Sequence, residues 1–518
     1  MRSVTSLAVP TVAPRLRIRP QPRWVYATAP DAAIVDRIEA ELRLPHTIAR
    51  LIAARGHALP DDARRFLRPR LEQLHQPDRL AGVEVAAERL ARACRVGETV
   101  LVHGDYDVDG MCSTALLTRV LRAHGARVVP FIPHRVSDGY DLTDAGVRAA
   151  IEARATVVVT CDCGTSALRP VSDLCAAGID VIISDHHLPG RSHGLPSCLA
   201  VLNPNLPDST YPDADRGLAA VGVAYKLALA VTRVLGGNEN AVLRLLDLVA
   251  LATIADIAPL RGENRVLARY GLRMLAESTL PGLRALVRAT GLDAKPLTAG
   301  RVGFILAPRL NAVGRLAHAL RGVELLTTDD EHEANTIARE LEELNRRRQD
   351  IDRATLVDAR RQIDALDLDS TYGIVLHAEG WHPGVIGIVA SRVVEDTARP
   401  AVLVAVEGGV GKGSGRSIPA FDLHAALSEC DAAGLFQRFG GHRAAAGVTL
   451  DAAKLPAFAE RFNDVARARG SRPTISFPSC ASISSCRSTR RTRSWSRCCG
   501  TSSRSASATP RPCSRRAV

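Results

Sequence analysis

The stretch TVLVHGDYDVDGMCSTALL, residues 99–117, decides how this chain is read. Its opening, Thr99-Val100-Leu101-Val102, is a β-branched and apolar run of the kind that forms a buried strand. Its close, from Ser113, has the spacing of a helix. Between them stand Asp105, Asp107 and Asp109 at every second position, followed by Gly110. In an extended chain such residues project from one face. Three like charges on one face repel unless cations neutralise them. A solvated Asx-turn is the plain alternative, and for a lone pair of aspartates it is the better one.

The arrangement recurs. TVVVT (156–160) runs into Cys161-Asp162-Cys163-Gly164, and DVIIS (180–184) runs into Asp185-His186-His187. DLVALATIADIAPL places Asp256 after a further apolar stretch. Four segments thus deliver Asp or His where strands would end, and open α/β sheets build their sites there. Carboxylate with imidazole suits Mn²⁺, Mg²⁺ or Zn²⁺, and several shared carboxylates suit two ions. A single His is often a satisfied core residue, but His186 and His187 side by side next to Asp185 do not fit that role.

Outward from these motifs, strand-like runs alternate with helical ones from about residue 96. The alternation predicts an α/β fold with a doubly wound, mostly parallel sheet over 96–329. Residues 31–95 read as short helices, and 219–293 are largely helical. The charged segment 330–366 has no internal Gly or Pro and predicts one long helix bridging two domains. A second, smaller α/β domain follows over 367–472, with GIVLHA and PAVLVAVE as strands.

The chain has 518 residues, 46% apolar and 24% charged, enough for two or three domains of ordinary composition. No apolar run is long enough to span a membrane. Residues 1–30 are Arg-rich and acid-free, but Pro10, Pro14, Pro20 and Pro22 break any amphipathic targeting helix. A disordered leader is the expectation. The net charge of +12 suggests nucleic acid, yet nine arginines lie after Pro473 with no Lys and no acid, which leaves +3 for residues 1–472. A DNA-binding surface must therefore come from local clustering. Cysteines are scattered or confined to that tail, so reduced thiols in a cytoplasmic protein are expected. The Ser/Arg/Cys mixture of 473–518 is what a GC-rich gene read out of frame produces. A genuine basic tail is the alternative.

In order, GDYDVDG (104–110), SDHHLPG (184–190), NPN (203–205), VGVAYKL (221–227), ATIADIAPL (252–260), LAPRLNAVGRL (306–316), GWHPGVIGIVASR (380–392) and FGGHRAAAGV (439–448) resemble the DHH phosphoesterase superfamily. Within it the chain resembles the RecJ family of single-strand-specific 5′→3′ DNA exonucleases, over residues 24–472. The resemblance implies two Mn²⁺ or Mg²⁺ ions held by Asp107, Asp109, Asp162, His186 and Asp256, with Asp162 between them. Asp105 and His103 are weaker ligand candidates; His103 and Asp185 are assigned to the surround, Asp185 orienting a ligand imidazole. His187 would face the scissile phosphate. The segment CDCG departs from the family pattern, in which Asn-Gly or similar follows the acid.

The resemblance further implies that Arg135 takes a 5′ phosphate. Arg309, Arg315, Ser414, Arg416 and His442 would handle the strand, the last three on Gly-rich segments where backbone can approach phosphate. For any one of these arginines a surface ion pair is an equal alternative. The implied reaction is hydrolysis of phosphodiesters to 5′-mononucleotides, in DNA repair and recombination. The implied partners are single-stranded DNA, a single-strand-binding protein and a recombination helicase, with no membrane and a monomeric enzyme. An OB-type domain normally follows, and the tail would replace it. The competing readings are an oligoribonuclease, a cyclic-dinucleotide phosphodiesterase and an inactive DNA-binding remnant.

Overall fold

The computed structural model describes residues 28–135, 137–189 and 194–470. Residues 1–27 of the leader, and the tail with the frameshift and the OB-type replacement read into it, lie outside the described residues. The chain forms two compact units, divided between residues 348 and 349.

In the first unit, four helices precede the sheet: α1 (Ala32–Leu42), α2 (His46–Ala54), α3 (Pro60–Leu67) and α4 (Val83–Val96). The region 31–95 does not behave as one body. Val35, Ile38, Ile48, Ile52 and Ala63 of α1–α3 close a small core of their own, whereas Val83, Leu90 and Cys94 of α4 enter the main core. The strands are β1 (Thr99–Gly104), β2 (Arg127–Phe131), β3 (Val157–Cys161), β4 (Asp180–Ser184) and β5 (Ala200–Leu202). They pair in the order β2-β1-β3-β4-β5, all parallel. Parallel strands buried on both faces explain why TVLVH, TVVVT and DVIIS are continuous apolar runs rather than alternating ones.

Three helices connect these strands: α5 (Val108–Ala123), α6 (Asp144–Glu152) and α7 (Leu168–Ala176). After β5 the chain is helical: α8 (Ala220–Val234), α9 (Glu239–Leu243), α10 (Leu246–Ala255), α11 (Gly262–Ala276) and α12 (Pro281–Ala289). The short α13 (Ala299–Arg301) leads through a π-helical turn, Val302–Leu306, into α14 (Ala307–Leu316), α15 (Leu320–Thr327) and α16 (Glu331–Asp364). The last is the long charged helix expected from the sequence, unbroken over 34 residues. None of the described helices is long and apolar enough to cross a membrane. The strand order reverses direction between β1 and β3, and ligands bind outside the carboxyl ends of the strands at such a point.

The extended reading of Asp105-Asp107-Asp109 is corrected here. β1 stops at Gly104, and Asp107 is already the N-cap of α5, its Oδ1 accepting from Asp109 N (2.9 Å) and Gly110 N (3.1 Å). A cap satisfies amides that the first helical turn leaves orphaned, so the aspartates start a helix instead of prolonging a strand. Gly110 is required there, because a Cβ would collide with the backbone of Asp105.

A buried ion pair joins α8 to α11. Lys226 Nζ lies 2.6 Å from Glu263 Oε1, each side chain only 1% exposed. Tyr211 OH and the backbone N–H of His75 also donate to Glu263. Removing one partner strands the other charge in the core, at about 3–5 kcal/mol. Lys226→Met is therefore expected to lower the unfolding free energy by about that amount in urea. A loss below about 1 kcal/mol would show that water reaches Glu263.

The second unit carries β6 (Ile374–Glu379), β7 (Ala401–Glu407), β8 (Val410–Arg416), β9 (Arg438–Gly441) and β10 (Ala445–Asp451), paired β6-β7-β8-β10-β9. Only β6 and β7 are parallel; the other pairings are antiparallel. Its helices are the end of α16, then α17 (Ile386–Thr397), α18 (Leu423–Asp431) and α19 (Leu455–Ala468). The Gly-rich segments GKGSGRS and FGGH are largely strands rather than open loops. Gly411, Gly413 and Gly415 leave room for Val404, Val448 and Leu423, and the alternation sends Lys412, Ser414 and Arg416 to the other face.

Candidate metal centre

At the reversal of the sheet, loops from four elements converge. Three sets of ligand atoms each lie within 4.8 Å of one another: Asp105, Asp107 and Asp162; Asp109, His186 and Asp256; and Asp162, His186 and His187. Asp162 and His186 belong to two sets each, so the three overlap into one continuous donor surface.

Each side chain is aimed by its backbone. Asp162 follows β3 with φ of 68°, a left-handed conformation that Asp adopts more readily than most residues. Its N–H donates to Ser184 O across the sheet at 3.0 Å. Asp109 reaches across to the N-terminus of α8, where Ala220 N (2.7 Å) and Val221 N (2.9 Å) donate to its two oxygens. Those amides satisfy only part of the capacity of an ionised carboxylate, which has about four lone-pair sites. Asp256 closes α10 as its C-cap.

His186 Nδ1 sits 3.1 Å from Leu218 O. A carbonyl only accepts, so Nδ1 carries the proton and Nε2 turns its lone pair toward Asp162 Oδ1, 3.1 Å away. His187 is held differently. Its Nδ1 is 2.8 Å from Asp185 Oδ1, and its Nε2 is 3.0 Å from Tyr140 OH. Asp185 thus orients His187, while the other imidazole is oriented by a carbonyl. Asp185 is itself fixed by Thr165 N (3.0 Å) and by the amides of His186 and His187.

The electrostatics ask for cations. Burial first, and then the charge of neighbouring carboxylates, push Asp105, Asp109 and Asp162 well above the ordinary aspartate range. The same two causes raise Asp256 to about 6. Asp105 Oδ1 and Asp162 Oδ1 are buried and accept no hydrogen bond. Buried oxygens without donors, massed carboxylates and a presented imidazole lone pair fit divalent cations. Burial works to lower His187, but the hydrogen bond and charge of Asp185 overcome it and hold the ring at about 9. Burial, then the positive charge of His187, lowers His186 and keeps it neutral for ligation.

Several of these supports are invisible in the sequence. Tyr140, Asp141 and Thr165 carry no motif, yet Asp141 Oδ1 accepts from Gly164 N at 2.7 Å and fixes the loop that carries Asp162. The NPN segment stands out in the sequence without a role. Asn203 Nδ2 donates to His187 O (2.8 Å) and Asn205 Nδ2 to His186 O (2.6 Å), so the segment clamps the triplet backbone. His103 belongs to none of the three sets. Fully buried, it turns Nδ1 to Cys163 Sγ at 3.5 Å, and burial lowers its pKa to about 4.

Arg135 stands over the Tyr106 ring, 4.5 Å from its centre, and its charge acts on Asp105. Arg309 is engaged in a fork with Glu342 Oε2 (2.8 Å) and Oε1 (3.4 Å), the ion-pair alternative weighed above. Arg315 lies in the last turn of α14, half-buried. In the second unit Arg416 Nη1 donates to Ser414 Oγ at 3.1 Å, and Gly387 of α17 lies against both. His442 is exposed on the β9–β10 turn, beside the Ala445 that pairs with Arg416. The seven described cysteines form no disulfide.

A support that Asp185 gives through His187 is testable. Asp185→Asn keeps the shape and removes the charge, and changes of this type behind a ligand shell cost about 10–100-fold in activity or metal affinity. That loss is expected in kcat with Mn²⁺, with KM little changed. An unaltered kcat would assign Asp185 to folding alone.

A parallel sheet reversing at β1/β3, with the Asp185-His186-His187 triplet among the donors gathered there, defines a protein of the DHH class. The DHH family, N-terminal domain, matches residues 99–253, and the DHHA1 domain matches residues 370–468. The single-stranded-DNA-specific exonuclease RecJ of Escherichia coli is 38% identical over 439 residues, 82% of this chain and 75% of that protein. The RecJ of Bacillus subtilis is 38% identical over 446 residues, 86% of this chain but 55% of that protein, so the chain spans about half the length of that relative. Among solved structures, Thermus thermophilus RecJ in complex with Mn²⁺ superposes with a TM-score of 0.74 at 37% identity, covering 86% of this chain and 62% of that one. The chain belongs to the RecJ family.

Proposed function

We propose that this chain is a metal-dependent 5′→3′ exonuclease that releases 5′-mononucleotides from single-stranded DNA. The observation that carries the reading is the overlap of three donor sets through Asp162 and His186. Asp105, Asp107, Asp109, Asp162, His186 and Asp256 would hold two Mn²⁺ or Mg²⁺ ions. Such ions neutralise phosphodiester charge, lower the pKa of attacking water and stabilise the leaving oxygen. The residues do the rest. Asp109, tied to α8, and Asp162, tied to β4, hold two of the carboxylates in place. His187, kept cationic by Asp185, presents positive charge beside the carboxylates and can donate to a phosphate oxygen. Arg135 adds a fork suited to a terminal phosphate. Ser414, Arg416 and His442 gather at one end of the second sheet and would grip the strand; Arg315 of the first unit offers a separate fork suited to phosphate. We place the enzyme in the cytoplasm as a monomer, working with a single-strand-binding protein and a recombination helicase.

The test is a 5′-labelled single strand, its duplex and an oligoribonucleotide, each incubated with Mn²⁺ and the full chain, with Asp162→Asn as control. Release of labelled mononucleotide from the single DNA strand alone, absent in the variant, is the expected result. Hydrolysis of the oligoribonucleotide in preference would transfer the reading to that substrate. A folded protein inactive on all three would leave a DNA-binding remnant.

A further inference from the structure

A second basic site lies on the first unit, away from the carboxylates. A pocket of about 560 Å³ opens between α2–α3 and the start of α11. Its wall is formed by Arg55, His57, Phe66, Arg261 and Arg265. These residues come from segments about 200 positions apart, so nothing in either stretch alone announces a site. Arg55 ends α2, and Arg261 is the N-cap of α11; both are exposed, and neither has an ion-pair partner among the described residues. Arg265 is buried at 7% exposure, with its guanidinium 3.7 Å from the centre of the Phe66 ring and its Nε donating to Phe66 O. The His57 ring also packs on Phe66, centroids 4.4 Å apart. Asp62 is the acid that opposes these cations at His57.

The cations act on one another in the pocket. After burial, the charges of Arg269 and Arg55 lower Arg265, to about 10. Arginines gathered here outnumber the one acid that acts at His57, Asp62, and such an excess of like charge favours entry of an anion. Planar guanidinium forks match phosphate oxygens in geometry as well as charge.

The position says which phosphate. The floor of the pocket is reached from Asp256 through Ile257-Ala258-Pro259-Leu260, so the backbones of Asp256 and Arg261 are at most about 18 Å apart. The loop is held out at a cost. Ile257 adopts φ of 60° with its side chain 88% exposed, a conformation that is a genuine outlier for a β-branched residue. We propose that the pocket is a phosphate-binding subsite that takes a backbone phosphate of the single strand outside the metal centre. The identity of the strand rests on the exonuclease reading; the anion site does not.

The experiment uses the full chain and the double variant Arg55→Ala/Arg261→Ala, both exposed positions. Anisotropy of a labelled oligothymidylate in EDTA, with cleavage off, is read against salt. The variant is expected to bind severalfold more weakly, with the slope of log affinity against log salt reduced by about 0.7 for each phosphate no longer neutralised. Its hydrolysis of bis(p-nitrophenyl) phosphate with Mn²⁺ is expected to stay at the wild-type rate. Unchanged affinity and slope would overturn the proposal. So would parallel loss of small-diester hydrolysis, which would place the effect in the metal centre or the fold. Calorimetry with pyrophosphate and a 5′-mononucleotide separates the sources: binding that the variant loses while strand binding persists would make this a free-phosphate site and overturn the strand assignment. A wild type that binds the strand with the variant-sensitive slope yet never cleaves it would sustain the subsite and remove the exonuclease reading.

Discussion

Asp162→Asn is expected to lower Mn²⁺-dependent hydrolysis of single-stranded DNA by about a thousandfold or more while leaving the protein folded. Asp162 is the carboxylate common to two donor sets, so on the two-ion reading its loss would weaken both positions at once. Charge stabilisation by such ions is worth several kcal/mol in the transition state, and each ~1.36 kcal/mol is tenfold in rate. Asn tolerates the left-handed backbone at φ of 68°, so the loop after β3 keeps its shape. The metal-free variant should be no less stable than the wild type. Burial and the charges of Asp107, Asp109 and Asp105 all disfavour the ionised form of Asp162, and the amide removes that repulsion. Initial rates beside thermal melts in EDTA check both halves. A variant within tenfold of wild type would mean that Asp162 is not shared between ions.

Metal is expected to stabilise the protein increasingly as pH rises from about 5 to 8. In the metal-free state Asp105, Asp109 and Asp162 are raised well above the ordinary range and Asp256 to about 6. The folded protein therefore binds more protons than the unfolded chain above the unfolded carboxylate pKa, about 3.9. Stability changes with pH as the protons bound unfolded minus those bound folded, so this contribution is full below about 4 and is lost as pH climbs through the raised values. His187, raised to about 9, acts in the same direction at higher pH. His186, lowered by burial, opposes them, one group against five. Asp185 is depressed, so its contribution fades only in acid, outside the window. Cations bind the deprotonated carboxylates and release those protons, which makes affinity rise with pH. At a hundred times Kd the bound form gains about 2.7 kcal/mol. Melting curves with EDTA and with excess Mn²⁺ should diverge as pH rises. An increment independent of pH would show that the carboxylates are already ionised without metal.

Much of the fold is legible because burial on both faces of a parallel sheet imposes one residue type. Val100–Val102, Val157–Val159 and Val181–Ile183 are all fully buried, and continuous apolar runs are what such strands need. The long α16 is equally plain, since a charged stretch without Gly or Pro has no reason to stop. The glycines of GKGSGRS are less legible, because glycine marks a turn and a tightly packed strand alike. Only the neighbours Val404, Val448 and Leu423 distinguish the two.

The sequence by itself determined which residues could carry the chemistry: acids and imidazoles at the ends of apolar runs, repeated until a solvated turn no longer explained them. Tertiary structure decided how they are used. It ended β1 at Gly104 and made Asp107 a helix cap, and it gave Asp109 two amides of α8 that lie more than a hundred residues away. It oriented His186 by Leu218 and His187 by Asp185 and Tyr140, and it brought Arg55 of α2 to Arg261 of α11. Residue type sets what a group can donate, accept or ionise. Its partner and its pKa depend on distance and burial, and those exist only once segments remote in the chain have packed together.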